Sequence, residues 1–125
     1  DRGLDRADDE RVHWMDLLEE LWSVVRCVEL GEVASYGAVG QALMNPASGW
    51  QVGRWMTQCP AEVPWWRVVA KSGALPIGKR DPRFGVEQSQ RLEQEGVIIT
   101  NGLVAQCHFV DAERLADRAA RSRLA

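Results

Sequence analysis

The sequence predicts an α/β domain that is mostly α, a winged helix-turn-helix with a small β-hairpin or wing. Three observations predict it. A long amphipathic helix pattern opens the fold, since Trp14, Leu17, Leu18, Leu21, Val24, Val25 and Val28 recur at three- and four-residue steps. Two shorter helical segments follow it across a tight connection, the second polar on its outer face. An Asn101-Gly102 pair between two apolar stretches then marks a hairpin with a tight primed turn. At 125 residues the chain has the length of one domain able to bury a useful core.

Taken in order, residues 1–11 form a charged lead-in, and the first helix spans Val12 to Glu29, ended by Gly31. Val33 has strand character. Ser35 is the expected N-cap of a second helix over Tyr36 to Met44. Asn45-Pro46 gives a cap followed by proline at a first helical position, so a third helix is expected from there to Gln58. Val52, Trp55, Met56 and Cys59 share its inner face, and Trp50, Gln51, Arg54, Thr57 and Gln58 lie away from it. Cys59 to Pro64 reads as a loop. Arg67 to Ala70, the Lys71-Ser72-Gly73 turn and Ala74-Leu75 suggest a small hairpin or wing. Pro76 to Gly85 is a basic loop punctuated by proline and glycine. A helix is expected over Val86 to Glu95, ended by Gly96, and a hairpin over Val97–Ile99 and Leu103–Ala105. Asp111 to Leu124 reads as a charged terminal helix of modest amphipathicity, either a solvated cap or an extra interface. The main domain is placed at 12–105 and a helical extension at 106–125.

Composition narrows the function. Hydrophobic residues at 46% and charged residues at 26% are an ordinary soluble balance, and no apolar run approaches the roughly 20 residues that span a bilayer. The acidic, polar start is neither a signal nor a transit peptide, so a cytoplasmic, monomeric protein without a membrane partner is expected. Cys27, Cys59 and Cys107 are an odd set without Cys-x-x-Cys spacing, which argues against disulfides and against a metal site; no cofactor is expected. Net charge is −3, but its distribution matters more. Residues 1–32 carry −6, residues 33–49 no charge at all, residues 50–91 carry +4 and residues 92–125 carry −1. A central basic segment between acidic ends suits a local phosphate-contacting surface on nucleic acid.

The basic segment contains the most unusual motif, Pro64-Trp65-Trp66-Arg67-Val68-Val69. Together with Gly31-Glu32-Val33-Ala34-Ser35-Tyr36-Gly37, Trp50-Gln51-Val52-Gly53, Gly73-Ala74-Leu75 and Leu92-Glu93-Gln94-Glu95-Gly96, it resembles the DNA-binding domain of O6-alkylguanine-DNA alkyltransferases. In that family the motif reads Pro-Cys-His-Arg-Val. Trp65 stands where the family has its reactive cysteine, and Trp66 where it has histidine. A tryptophan in place of the cysteine is the mark of the alkyltransferase-like proteins, which bind O6-alkylguanine without accepting the alkyl group. The resemblance spans about Trp14 to Ile99.

The chemistry agrees with that loss. Alkyl transfer needs a thiolate and a base to activate it, and two indoles offer neither. The resemblance implies a non-enzymatic protein. Its partners would be duplex DNA carrying O6-alkylguanine, whose lesion base it flips, and nucleotide excision repair proteins, for which it marks the site. Tyr36, Trp65, Trp66 and Arg80 are the candidate lesion pocket. Trp50 takes the place of the family's arginine that fills the gap left by a flipped base, as apolar wedges do elsewhere. Ser35, Gln51, Arg54, Thr57, Lys71, Lys79 and Arg83 are candidate backbone and groove contacts. Arg67 is read as a fold anchor. Glu95 matches the family's orienting glutamate, with no histidine to orient. His13 and His108 receive no role. Two alternatives stay open: a winged-helix regulatory module that has lost lesion recognition, and a residual enzyme using another cysteine.

Overall fold

The computed structural model describes residues 16–75 and 82–124. Helix α1 occupies residues 16–26, and its expected first turn lies outside the described residues. It stops three residues before Glu29, because the amides of Cys27 and Val28 turn back to the carbonyls of Val24 and Val25 at 3.0 and 3.1 Å. Leu21, Trp22, Val24, Val25 and Val28 are buried.

Strand β1 (Ala34–Ser35) pairs in parallel with β2 (Val68–Val69), with Ala34 opposite Val68 and Ser35 opposite Val69. Helix α2 (Tyr36–Ala42) starts at once, and the Ser35 hydroxyl accepts from the Ala38 amide at 3.0 Å as a true N-cap. Helix α3 (Gly49–Trp55) begins three residues later than Asn45-Pro46 suggested. Ser48 and Gln51 form a reciprocal capping box, which outcompetes the proline start. A 3-10 turn, Met56–Gln58, continues α3 to the expected end. The tight α2–α3 connection depends on Gly40, where a Cβ would collide with the Ala47 carbonyl oxygen.

A second 3-10 turn, Trp65–Arg67, leads into β2. The hairpin expected over Arg67–Ala70 and Ala74–Leu75 does not form, because β2 pairs with β1 instead; the Ala70 amide reaches the Ala74 carbonyl at 3.0 Å and closes a tight loop. The loop docks on the Asn101-Gly102 hairpin, for the Val104 amide donates to Gly73 at 2.9 Å. Helix α4 (Pro82–Gln94) starts four residues before the expected Val86, with proline in its first turn. It therefore takes in part of the stretch read as basic loop. Strands β3 (Ile99–Thr100) and β4 (Leu103–Val104) form the antiparallel hairpin, and Asn101 and Gly102 turn it with φ of 54° and 76°.

Helix α5 (Ala112–Leu124) forms within one residue of the expected span, and the structure gives it the role that the sequence leaves open. Leu115 and Ala119 are buried in the same core as Leu21, Val25 and Val39. Arg118 donates to the Cys27 carbonyl at 2.9 Å and to both Glu32 oxygens at 2.7 and 3.1 Å. The helix is an integral wall of the core, and its charge hides two buried positions spaced by one turn. His108, given no role, is a staple. Its Nε2 accepts from the Ile98 amide at 3.0 Å, so Nδ1 carries the proton and donates to the Gly31 carbonyl at 3.0 Å. A second, smaller core of Val33, Val69, Leu92, Val97 and Val104 joins α4 to the hairpin. The site borders the larger core, at Tyr36, Met56, Cys59 and Val68.

Candidate nucleic-acid interface

Two adjacent indoles on one 3-10 turn face different surroundings. Trp65 borders an open cavity of about 300 Å3. Tyr36, at the start of α2, lines the same cavity, with Met56, Thr57 and Cys59 from the end of α3. Phe84 and Gln88 from α4 line it too, and the Phe84 ring meets Trp65 edge-on at 6.0 Å. The cavity is therefore built from segments separated by up to 52 positions, held by the β1–β2 pairing and by α4.

Trp66 does not line this cavity. It packs against the smaller core, and its indole N–H donates to Glu95 at 3.2 Å. The Arg91 guanidinium stacks on its ring at 4.4 Å, and that of Arg67 lies 5.5 Å away. Arg67 grips Glu95 with two bonds of 2.9 and 2.8 Å and donates to the Val28 carbonyl at 2.9 Å. This supports the reading of Arg67 as an anchor. Burial alone would push the Glu95 carboxyl up, but the hydrogen bonds from Arg67 and Trp66 outweigh it and hold the carboxyl below its ordinary value. Glu95 thus has partners after all, an indole and a guanidinium.

The outer face of α3 is exposed as expected. Trp50 is 70% exposed, and the Arg54 guanidinium lies over its ring at 5.0 Å. Other polar candidates already have local partners. Ser35 and Gln51 are engaged in caps, and the Thr57 hydroxyl donates to the Arg54 carbonyl at 2.7 Å. Thr57 also reaches the cavity wall. Lys71 is exposed on the small loop, and its carbonyl accepts from Gln106 at 3.4 Å. Arg83 is exposed in the first turn of α4. Lys79 and Arg80 lie outside the described residues.

Phe84, Gln88 and Cys59 were missed as site residues. A signal for two of them exists, since Phe84, Gln88, Leu92 and Glu95 fall on one helical stripe. A glutamine on a stripe that also carries a core leucine is a polar group bound for the interior. Cys59 is half-buried at the cavity, and burial pushes its thiol up to about 12.

These features define a helical domain with a helix-turn-helix and a small sheet wing, a DNA-binding fold. Residues 16–97 match the family model "6-O-methylguanine DNA methyltransferase, DNA binding domain", and the chain belongs to that family. It is 30% identical over 92 residues to a bifunctional methyltransferase/endonuclease of Thermoplasma volcanium, covering 72% of this chain and 28% of that protein. It is 30% identical over 84 residues to a DNA base-flipping protein of Escherichia coli, covering 66% of this chain and 63% of the relative. The chain thus spans less than two thirds of these curated relatives. Among solved structures, S. pombe Atl1 in complex with damaged DNA containing O6-carboxymethylguanine superposes with a TM-score of 0.59 and 32% identity, over 68% of this chain and 80% of that one. S. pombe ATL in complex with DNA gives 0.63 at 26% identity, over 77% and 95% of the two chains.

Proposed function

We propose that the protein binds O6-alkylguanine in duplex DNA by flipping the base, performs no chemistry on it, and marks the site for nucleotide excision repair in the cytoplasm. The observation that carries this reading is the cavity between Tyr36 and Trp65, beside a helix that exposes Trp50 and Arg54. Extruding a base costs a few kcal/mol, which stacking and polar contacts in the pocket must offset. Trp65 supplies the stacking wall. Tyr36 presses on the rotated nucleotide. Trp50, backed by Arg54, fills the gap in the duplex, and Lys71 and Arg83 add electrostatic reach to phosphate. Arg80 is proposed as a polar contact to the base. The S. pombe relative bound to DNA carrying O6-carboxymethylguanine and the E. coli base-flipping relative support this reading.

Duplexes with and without O6-methylguanine, titrated at matched salt, test it. Preferential binding of the lesion duplex is expected, and equal binding would refute it. Addition of the protein should also raise incision of the lesion duplex by reconstituted excision nuclease.

One observation favours a second reading, an alkyl acceptor that uses Cys59, because this thiol lines the cavity. The Thermoplasma relative is named a methyltransferase/endonuclease. Burial pushes this thiol up to about 12, which disfavours it as a nucleophile at neutral pH. Mass spectrometry after incubation with alkylated DNA separates the two, since only alkyl transfer adds stoichiometric mass to the protein.

A further inference from the structure

Trp50 is 70% exposed, the most exposed aromatic ring among the described residues, although a large aromatic ring gains most from burial. It is held out rather than left loose. The Ser48–Gln51 capping box fixes the first turn of α3, and the Arg54 guanidinium lies over the indole at 5.0 Å. Trp50, Arg54 and Thr57 follow one another along one helical face, and Thr57 lines the cavity. Gly53, on the same face, sets its backbone against the Tyr36 ring, where a Cβ would stand 3.9 Å from Cδ1. At 1.5 Å per residue, the indole stands about 10 Å along the axis from the cavity mouth. Under the lesion-binding reading, on which this inference rests, a base held in the cavity leaves a gap in the stack within that reach, with an unpaired base opposite it.

The chemistry of the side chain at the gap decides what it can read there. Stacking is tolerant of base identity, since every base has a π-face. Indole adds one N–H donor and no acceptor. Unpaired cytosine offers adjacent O2 and N3 acceptors, whereas thymine offers O2 and O4 on either side of an N3 hydrogen. A single donor finds O2 on both. A guanidinium fork would engage O2 and N3 of cytosine together and would meet the N3 hydrogen of thymine. We infer that Trp50 fills the gap without reading the base opposite it, and so lets the protein accept O6-alkylguanine opposite cytosine and opposite thymine alike. Both settings arise from the lesion's own chemistry. O6-alkylguanine faces cytosine when it forms, and it faces thymine once miscopied, because it lacks the N1 hydrogen that pairing with cytosine uses.

The test titrates four duplexes: O6-methylguanine opposite cytosine and opposite thymine, and unmodified guanine opposite the same two bases. Trp50→Ala, at an exposed position, should keep the melting temperature. It should weaken both lesion duplexes by about tenfold, the value of one base–aromatic stack, with a smaller loss on the unmodified pair. The ratio of the two lesion affinities should be the same in the native protein and in Trp50→Ala, because any difference in pairing strength between the duplexes enters both. Trp50→Arg should move that ratio toward cytosine by about fivefold or more, the value of one added hydrogen bond to a charged donor.

A native ratio that departs from the Trp50→Ala ratio by more than about threefold overturns the inference, since the indole would then be reading the opposite base. An equal loss on lesion and unmodified duplexes in Trp50→Ala overturns it too, as does no loss on either, for both put Trp50 outside the gap. An unchanged ratio in Trp50→Arg has the same force. If instead the native protein binds O6-methylguanine and guanine equally opposite the same base, it is the lesion-binding reading that fails.

Discussion

Trp65 and Trp66 are the same residue on the same turn, yet one borders an opening and the other closes a network. The polar side chains packed on the Trp66 ring are partnered. Its N–H reaches Glu95, Glu95 is held by Arg67, and Arg91 stacks on the ring while pairing with Glu87 at 3.1 Å. Around Trp65 the surface is aromatic and open, lined by Tyr36 and Phe84. A satisfied network contributes stability and leaves nothing for a ligand to do. An open aromatic wall leaves apolar surface for a ligand to cover. The difference separates scaffold from site within one dipeptide.

The comparison can be broken first on the Trp66 side. Arg67 and Glu95 are only 14% and 13% exposed, so Arg67→Ala leaves a carboxylate buried and unpaired. A loss of about 3–5 kcal/mol of stability is expected in a urea titration, and a loss below about 1 kcal/mol would deny the network its structural role. Trp66→Phe keeps the ring but drops the hydrogen bond, and should cost about 1 kcal/mol.

On the Trp65 side the expected effect is on binding. Trp65→Ala should weaken lesion-duplex binding by about tenfold or more, in line with about 1–3 kcal/mol per base–aromatic stack, with a smaller change in melting temperature. The reverse pattern would make Trp65 a core residue.

Acid sharpens the contrast further. Glu32, paired with Arg118, and Glu95, buried but held by Arg67 and Trp66, both lie below the ordinary carboxylate value of 4.5. Groups depressed in the folded state stabilise it above their unfolded pKa, and that stability is lost as pH falls through the folded values. The melting temperature should hold from pH 7 to about 5 and fall below that, with a shallower fall in Glu95→Gln.

Burial of Cys59 predicts a reactivity order. Cys107 is exposed, whereas the Cys59 thiol is pushed up to about 12. Iodoacetamide at pH 8 should modify Cys107 first and leave Cys59 nearly untouched, read by peptide mass mapping. The smallest effect belongs to the periphery. Lys71→Ala should weaken lesion and plain duplexes alike, by about two- to threefold, because phosphate contacts carry no base information.

Much of the scaffold was legible because its signals are local. The apolar spacing of α1, the Ser35 cap and the Asn101-Gly102 turn each act within a few residues. The start of α3 was misread because two local signals competed, and the Ser48–Gln51 capping box supplies two hydrogen bonds where Pro46 supplies none. The packing of helix α5 was not legible because its buried positions are only Leu115 and Ala119, too narrow a face for periodicity to register. Its role emerges only when Arg118 meets Cys27 and Glu32, 91 and 86 positions away.

The site divides in the same way. The sequence alone determined the helix–turn–helix order, the exposure of Trp50 and Arg54 on α3, and the unusual Trp65-Trp66 pair in a family motif. Only the tertiary structure decided that the two indoles part company, that Glu95 serves Trp66 and Arg67, and that Phe84, Cys59 and Gln88 complete the cavity. The reason is physical. Helical periodicity and capping are fixed by neighbours along the chain, whereas hydrogen-bond satisfaction is fixed by neighbours in space. Glu95 lies 29 positions from Trp66, and Gln88 lies 20 from Val68.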